Sequence, residues 1–286
     1  MMFAAALALV ASYPVQSVVL QDRPIIGIVS QPLSGADAVR HDLDPSLPFE
    51  PDTGRKYIAA SYIKFIESAG ARAVPIHYDS DTATVRDLVG SVNGVLFPGG
   101  SASLQNSSQY YRTGKVIYDA ALAANKAGTY FPLWGTCLGF EEMARLLSGD
   151  NDEILVRGFD SENYPVPLKI VSPSSRMFGG APKELLLALT SENITMNNHH
   201  SGVKPATFEK ILGGTVQMIS TNVDRAGVAF VSTFEAKAYP FYGSQWHPEK
   251  NGFEWTAKEA IPHSATAVRA MQVCSLAFIV RMAGCS

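Results

Sequence analysis

The segment Trp134-Gly135-Thr136-Cys137-Leu138-Gly139-Phe140 indicates the fold class, because a strand, a sharp turn and a helix follow one another around it. Residues 130–134 are predicted to form a buried strand and residues 138–147 a helix. The Gly-x-Cys-x-Gly pattern between them is the cysteine form of the nucleophile elbow, Gly-x-Ser-x-Gly. Glycines flank the nucleophile there because strand and helix approach closely around a strained turn. The sequence therefore predicts an α/β fold in which Cys137 projects from a turn at the start of a helix.

Strands and helices alternate on the N-terminal side of this turn. The segment at 24–30, PIIGIVS, is apolar on both faces, which is typical of strands in parallel sheets. Further strands are predicted at 71–77 and 94–97, and helices at 55–69, 82–92 and 110–126. Strands that alternate with helices of this length indicate βαβ units and a mostly parallel sheet.

Beyond residue 151 the pattern changes to strands with few helices. Strands are predicted at 168–171, 194–196, 215–220, 227–234 and 241–246, with a short helix at 183–189 and a final helix at 264–281. No repeat, low-complexity tract or linker divides the sequence into two units. Residues 18–286 are therefore expected to form a single domain.

A second motif, Gly243-Ser244-Gln245-Trp246-His247-Pro248-Glu249, follows the last predicted strand. A nucleophilic thiol needs a base, and the base needs a group that orients it. His247 and Glu249 are two residues apart, so they lie on the same side of an extended chain, and Pro248 favours an extended conformation at His247. A His-x-Glu pair at this place is also compatible with an ordinary surface turn.

A third motif, Phe97-Pro98-Gly99-Gly100, ends a strand one βα unit before the elbow. Ligand sites of open α/β sheets lie at the carboxyl ends of the strands. The backbone N–H groups of Leu138 and Gly100 are candidates for an oxyanion hole at that edge. Taken alone, the third motif is also compatible with an ordinary Pro-Gly turn. Cys137 alone is also compatible with a small buried cysteine without a catalytic role. The order and spacing of the three motifs favour one site built from all of them.

Composition limits the class of function. The chain has 286 residues with 23 Lys+Arg, 26 Asp+Glu and a net charge of −3, so it offers no basic field for nucleic acid or for an anionic membrane. A hydrophobic fraction of 47% supplies a buried core and excludes disorder. Three cysteines do not make a disulfide scaffold, and Cys274 and Cys285 are too far apart along one helix to pair. No spaced Cys/His set accompanies the second motif, so no metal is expected.

The N-terminal segment is predicted to be a signal peptide covering residues 1–17. Its apolar run at 3–11, FAAALALVA, is too short to span a bilayer, and small residues at 15 and 17 fit cleavage after Ser17. No Lys or Arg precedes the run, and a buried N-terminal element is the alternative. Sequons at Asn106 and Asn193 fit glycosylation on a secretory route. The mature protein is expected to be secreted or held in a lysosome or vacuole.

Together the three motifs resemble those of class I glutamine amidotransferase-like domains, which use a Cys–His–Glu triad. Within that superfamily the chain is similar to the γ-glutamyl hydrolases from about residue 24 to the C-terminus. The similarity rests on PIIGI (24–28), YIAASYIKFIESAGARAVPI (57–76), FPGG (97–100), FPLWGTCLGFEEMA (131–144) and YGSQWHPEKNGFEW (242–255). It implies a flavodoxin-like three-layer α/β sandwich with a mostly parallel central sheet, and often a homodimer.

The resemblance also implies roles for individual residues. Cys137 is the nucleophile, His247 the general base and acid, and Glu249 the group that orients the histidine. Substrate binding is assigned to three further polar side chains, namely Tyr62, Glu141 and His199. The doubled histidine leaves His200 as an alternative to His199. The implied activity is hydrolysis of folate poly-γ-glutamates, or of antifolate analogues, through a γ-glutamyl thioester and without a cofactor.

Two other functions are compatible with the same motifs. A glutaminase subunit would pass ammonia to a synthase, and this chain has no room for a synthase domain. A catalytically silent secreted binding protein would keep the fold without turnover, although all three triad positions are filled. A thiol-reactive probe separates the latter from an enzyme, because an inert Cys137 would show no accelerated alkylation.

Overall fold

An eight-stranded sheet forms the centre of the fold. The computed structural model describes residues 23–33 and 55–280. The strands within these residues are β1 (Ile25–Val29), β2 (Gln31–Pro32), β3 (Lys56–Tyr57), β4 (Arg72–Ile76), β5 (Gly94–Phe97), β6 (Leu133–Thr136), β7 (Val156–Val166), β8 (Lys169–Ile170), β9 (Thr195–Gly202), β10 (Val216–Val223), β11 (Ala229–Ala236) and β12 (Phe241–Ser244). The helices are α1 (Ala60–Glu67), α2 (Thr82–Val89), α3 (Gln109–Lys126), α4 (Leu138–Leu147), α5 (Lys183–Ser191), α6 (Pro205–Ile211), α7 (Lys250–Phe253) and α8 (Ala265–Val280).

The strand order of the sheet is β4-β1-β5-β6-β12-β11-β10-β8. The first five strands run parallel to one another. The last three continue the sheet in antiparallel pairs. This mostly parallel sheet with its helical connections confirms the predicted α/β fold class.

Alternate side chains of the buried strands enter two separate apolar cores. On β5, Val95 and Phe97 join one core while Leu96 joins the other. The first core contains apolar side chains of α2, α3, α4 and α6, and the second contains those of α1, α5 and α8. Each large apolar side chain buried in this way contributes about 1.5–3 kcal/mol to folding. The two cores and the sheet between them make the three layers of a sandwich.

The first helix is shorter than the pattern of residues 55–69 predicts, because it begins at Ala60. The residues before it form β3, which pairs antiparallel with β2. The carbonyl oxygen of Arg55 also accepts a hydrogen bond of 3.0 Å from the N–H of Leu33. Since these backbone groups bond to another segment, they are not available to a helix.

The structure also contains a separate two-stranded sheet, formed by β7 and β9, which the sequence did not predict. No strand was expected at β7, and β9 extends to Gly202, well beyond the strand predicted at 194–196. The pairing of the two strands is irregular, with register shifts, and Gly158 and Asn163 of β7 have φ angles of 98° and 48°. Helix α6 was also missed, although Pro205 at its first turn is a common start signal.

Two predictions concern residues outside those described, the signal peptide at 1–17 and Cys285. Within 23–33 and 55–280, no helix is long and apolar enough to cross a membrane.

Candidate active site

Three neighbouring parallel strands bring the three sequence motifs to one edge of the sheet. The register pairs Phe97 of β5 with Gly135 of β6, and Thr136 of β6 with Ser244 of β12. Each motif continues from the carboxyl end of its strand, which is where ligands bind in open α/β sheets. The sheet order therefore explains why segments far apart in sequence meet here.

Cys137 occupies a strained turn between β6 and α4. Its φ of 51° and ψ of −106° are unusual for a residue with a side chain. Its N–H donates to the carbonyl oxygen of Ser244 at 2.8 Å, which ties the turn to β12. An added Cβ on Gly139 would overlap the backbone of Phe97, and one on Gly135 would overlap the carbonyl of Gly139. The two glycines thus permit the close packing of strand and helix that produces the turn.

His247 is held against Glu249 in the interior. The backbone N–H of His247 donates to the carbonyl oxygen of Met196 at 2.8 Å. Nδ1 of His247 lies 2.6 Å from Oε1 of Glu249, and the two side chains are only 8% and 1% exposed. Burial disfavours the imidazolium, but the negative charges of Glu249 and Cys137 outweigh burial and raise the pKa of His247 to about 10. Nε2 of His247 is buried and has no hydrogen-bond partner among the described residues, so it is available to the thiol or to a substrate.

The structural reason for this pair differs from the one expected. The sequence predicted that an extended chain places His247 and Glu249 on the same side. In the structure β12 ends at Ser244, and Glu249 has helical angles of −75° and −23° just before α7. A tight turn, with Pro248 between the two residues, therefore brings the side chains together.

Tyr62 of α1 reaches the same point from the other side. Its hydroxyl oxygen accepts a hydrogen bond of 2.7 Å from the N–H of Gly99 and lies 3.5 Å from Nδ1 of His247. Burial, and then the negative charges of Glu249 and Cys137, raise the pKa of Tyr62 well above its ordinary value. The phenol therefore keeps its proton.

The residues predicted for the oxyanion hole lie beside Cys137. Leu138 is the first residue of α4, where helical N–H groups lack acceptors within the helix. Gly100 lies so close to the side chain of Gln31 that an added Cβ would be 2.5 Å from Oε1 of Gln31. Gln31 is itself fixed by a 2.8 Å hydrogen bond to the hydroxyl of Tyr110.

The three substrate-binding candidates are all buried. Burial raises the pKa of Glu141 to about 7, and an amide hydrogen bond from Gln245 and the charge of Arg157 offset it in part. Burial lowers the pKa of His199 to about 4, so this imidazole is neutral over most of the pH range. Nδ1 of His199 lies 2.7 Å from the carbonyl oxygen of Ser201, and its buried Nε2 has no partner among the described residues.

The doubled histidine separates into one buried and one exposed side chain, as expected for neighbours on a strand. His199 is buried, whereas His200 is 57% exposed and its Nε2 lies 2.7 Å from Oε1 of Glu162. This arrangement favours His199 over His200 as a site residue.

Two cavities meet at Cys137. The first has a volume of about 480 Å³ and is lined by Tyr62, His247, Glu249, Lys250 and Trp255, among others. The second has about 430 Å³ and is lined by Leu138, Glu141, Arg157, His199 and others. Gly100, Cys137 and Asn198 line both cavities. A substrate bound at the thiol can therefore extend in two directions.

The family model for peptidase C26 matches residues 24–249 of the chain. The chain belongs to the peptidase C26 family. Gamma-glutamyl hydrolase B of Dictyostelium discoideum is 37% identical over 264 residues, which cover 91% of this chain and 72% of that protein. Gamma-glutamyl hydrolase of Rattus norvegicus is 43% identical, with coverage of 86% and 74%. Gamma-glutamyl hydrolase 1 of Arabidopsis thaliana is 39% identical, with coverage of 88% and 70%. These relatives confirm the resemblance found in the sequence.

A solved structure supports the fold assignment of this peptidase C26 chain. A Thermoplasma acidophilum protein, assigned as one of the subunits of GMP synthase, superposes with a TM-score of 0.52 and 14% identity. The superposition covers 90% of this chain and 98% of that one. At this identity the likeness shows the fold alone.

Several residues of this peptidase C26 site were not anticipated from the sequence. Nζ of Lys250 donates to Oε2 of Glu254 at 2.6 Å and to Oε2 of Glu259 at 2.9 Å. Burial opposes the charge of Lys250, yet these carboxylates raise its pKa above the ordinary value. The i,i+4 spacing of Lys250 and Glu254 was a usable signal. Arg157 carried no such signal, because it belongs to the unpredicted strand β7.

The remaining predicted residues do not line either of the two cavities. Asn106 and Asn193 are exposed, as attachment of a glycan requires. Cys274 is buried in α8, and burial raises its pKa to about 12. Among the residues that the structure describes, no group of three or more His, Cys, Asp or Glu side chains could hold a metal ion.

Proposed function

We propose that the protein hydrolyses γ-glutamyl peptide bonds of folate poly-γ-glutamates, and of antifolate analogues, with Cys137 as nucleophile. The observation that carries the proposal is the buried pair of His247 and Glu249, 2.6 Å apart, beside a cysteine on a strained turn. The relatives named gamma-glutamyl hydrolase support the same substrate bond. A γ-glutamyl bond presents a side-chain carbonyl to the thiol, with an amine as leaving group.

In the first half of the reaction the sulfur of Cys137 attacks the γ-carbonyl carbon. The electron pair of the C=O bond moves to oxygen, and the N–H groups of Leu138 and Gly100 stabilise the resulting oxyanion. Imidazolium His247 gives its proton to the nitrogen as the C–N bond breaks. The raised pKa of His247 fits this role, because the imidazolium is then present at and below neutral pH. A γ-glutamyl thioester and a free amine result.

In the second half the neutral His247 accepts a proton from water, and the hydroxide attacks the thioester carbonyl. The same two N–H groups stabilise the second oxyanion. Collapse expels the sulfur of Cys137, which leaves the thiolate beside imidazolium His247. Glu249 keeps the imidazole oriented through both halves, since its carboxylate is bonded to Nδ1 and leaves Nε2 for the thiol.

The three other polar residues have positioning or binding roles in this proposal. Tyr62 holds the Gly99–Gly100 turn and contacts the imidazole of His247. Glu141 and His199 line the second cavity. Below neutral pH Glu141 is largely protonated and can donate a hydrogen bond, whereas neutral His199 offers Nε2 as an acceptor for a substrate N–H.

The proposed cellular setting is the secretory route, ending outside the cell or in a lysosome or vacuole. The predicted signal peptide at 1–17 and the exposed sequons at Asn106 and Asn193 support it. We also propose a homodimer, by the family resemblance alone. Light scattering of the purified mature protein measures the oligomeric state, and secretion from a cell line measures the location.

The test is to incubate the purified mature protein at acidic pH with a folate poly-γ-glutamate and, separately, with glutamine. Shortened folate products without ammonia release from glutamine are expected. Ammonia from glutamine with intact folate tails would favour a glutaminase instead. Inactivity on both would leave a silent binding protein.

The nucleophile is tested by Cys137→Ala, with Cys274→Ala as the matched control. Cys137→Ala should remain folded and lose activity by about 10⁶-fold, on the scale of removing a triad nucleophile. Cys274→Ala should keep activity and the fast alkylation of the remaining site thiol, because Cys274 lies inside α8. Full activity of folded Cys137→Ala would overturn the mechanism.

A further inference from the structure

The second cavity contains a cation without a partner. Arg157 lines this cavity, its residue is exposed, and it makes no hydrogen bond or ion pair with the residues at 23–33 and 55–280. Its strand neighbour across the β7–β9 pair is Ser201, whose carbonyl oxygen is bonded to His199. The guanidinium is also close enough to Glu141 to lower the pKa of that carboxyl group against the larger effect of burial.

The other basic side chains of this cavity are already engaged. Arg145 donates to the carbonyl oxygen of Leu104 and to Asp152, and its Nη2 lies 3.0 Å from Oδ1 of Asn106. Its guanidinium also lies 4.7 Å from the ring centroid of Tyr111. His200 is paired with Glu162. Within the described part of the chain, Arg157 is therefore the positive side chain that this cavity leaves free for a ligand.

The geometry of acyl transfer assigns the two cavities to the two sides of the scissile bond. In the tetrahedral intermediate the attacked carbon bears the sulfur, the oxyanion, the leaving nitrogen and the acyl carbon chain. The leaving nitrogen must face His247, its proton donor, and His247 lines the first cavity but not the second. The oxyanion faces Leu138 and Gly100. The acyl chain is then directed into the second cavity, where Arg157 lies.

The acyl residue of a γ-glutamyl substrate carries an α-carboxylate a few bonds from the attacked carbon. From the cavity, the free guanidinium and the direction of the acyl chain, we infer that Arg157 binds this α-carboxylate and so recognises a γ-glutamyl acyl group. Arg and carboxylate form two parallel charge-assisted hydrogen bonds, which fix orientation as well as affinity. At acidic pH, where burial keeps Glu141 largely protonated, that neighbour does not neutralise Arg157. This inference rests on the proposed function and names the group that selects its substrate.

Three probes test the inference on the mature protein. The first is benzoyl-glutamyl-γ-glutamate, whose first residue supplies the attacked carbonyl and whose second residue is the leaving group. The second probe carries an α-carboxamide on the first residue, and the third carries it on the second residue. For the wild type, the amide on the first residue should lower kcat/KM by about 10- to 100-fold, as expected for loss of a charge-assisted pair.

Arg157→Gln should lose about 10- to 100-fold on the unmodified probe, mainly through KM, and should show no further loss with the amide on the first residue. Its loss should persist on the third probe, because that amide lies on the leaving side. Arg157→Lys should recover part of the activity, since it restores the charge. Arg86→Gln, which removes an exposed arginine of α2, is the matched control and should behave as wild type.

The inference is wrong if Arg157→Gln lowers kcat/KM by the same factor on the first and the second probe, each compared with wild type on that probe. It is also wrong if Arg157→Gln lowers kcat/KM on neither probe. Disappearance of the Arg157 effect on the third probe would place Arg157 on the leaving side and would also contradict it. If the folded wild type cleaves none of the three probes nor a folate poly-γ-glutamate, the proposed function itself fails. If wild type cleaves the probes but the Arg157 variants do not show the predicted losses, the role of Arg157 is wrong and the proposed function stands.

Discussion

Gly114 of α3 faces Glu142 of α4 so closely that a Cβ at position 114 would overlap Oε1 of Glu142. Glu142 is fully buried, and neither carboxyl oxygen has a hydrogen-bond partner of ordinary geometry among the described residues. Burial raises the pKa of Glu142 well above its ordinary value of 4.5, and the nearby hydroxyl of Tyr110 offsets this only in part. The missing side chain at Gly114 thus makes room for a neutral carboxylic acid inside the protein.

This buried acid should contribute more to the stability of the protein in acid than at neutral pH. The folded state keeps a proton that the unfolded chain loses once the pH rises above about 4.5, so stability falls as the pH rises towards the folded-state pKa. Glu142→Gln should flatten this slope and stabilise the protein at neutral pH. Urea unfolding between pH 4.5 and 8 measures the effect, with the surface variant Glu67→Gln as control. An unchanged slope in Glu142→Gln would contradict the prediction.

The carboxylate of Glu249 should control the protonation of His247. Glu249→Gln removes a negative charge that raises the pKa of His247, so the alkaline limb of the kcat/KM profile should move to lower pH. Activity should also fall by about 10⁴-fold, the scale for losing the orienting carboxylate of a triad. The pH dependence of activity and of Cys137 alkylation measures both effects. Glu254→Gln alters a carboxylate that bonds to Lys250 instead, so its pH profile should stay closer to wild type.

The hydroxyl of Tyr62 should matter through the Gly99 turn. Tyr62→Phe leaves the N–H of Gly99 without its 2.7 Å partner, which costs about 1–3 kcal/mol and, if expressed in the transition state, roughly 5- to 150-fold in kcat/KM. Tyr118→Phe, a half-buried tyrosine on α3, is the control. Equal activity of Tyr62→Phe and wild type would show that the turn holds without this bond.

Gly99 should not tolerate a side chain. A Cβ there would lie 2.7 Å from the hydroxyl oxygen of Tyr62, 2.8 Å from Cε1 of His247 and 3.3 Å from Cβ of Cys137. Gly99→Ala should therefore displace the reacting groups and lower kcat by about 10²-fold, the cost of a misplacement of about 1 Å. Gly180→Ala is the matched control, because nothing lies within 4 Å of its added Cβ. Parallel melting curves separate misplacement from unfolding.

The turn at Cys137 could be predicted from the sequence because close packing there requires glycine at fixed positions. Gly135 and Gly139 have no space for a Cβ. The glycine pattern in the sequence therefore indicates the close packing of β6 on α4. The predicted strand at 94–97 and the predicted helix at 138–147 coincide with β5 and α4. The fold class followed from this alternation.

The residues that line the two cavities could not all be predicted from such local patterns. Strand β7 pairs with β9, and the pairing has register shifts. Its sequence therefore lacks the regular alternation of a strand. Because the strand was not predicted, Arg157 was not predicted to line the site either. The pair of His247 and Glu249 was anticipated, but its expected extended geometry was wrong, because a turn and not a strand joins them. Such details depend on tertiary contacts between distant segments.

The pairing of β6 with β12 also sets an order of events during synthesis. Leu133 pairs with Phe241 and Thr136 with Ser244, so the thiol and its base come from segments that a ribosome releases far apart in time. Non-local strand pairing of this kind forms late, because the long loop must be closed first. Until β12 docks, a nascent chain that carries the complete elbow has Cys137 without His247 and Glu249 beside it. The strand order thus delays assembly of the site until the segment that carries His247 has been made.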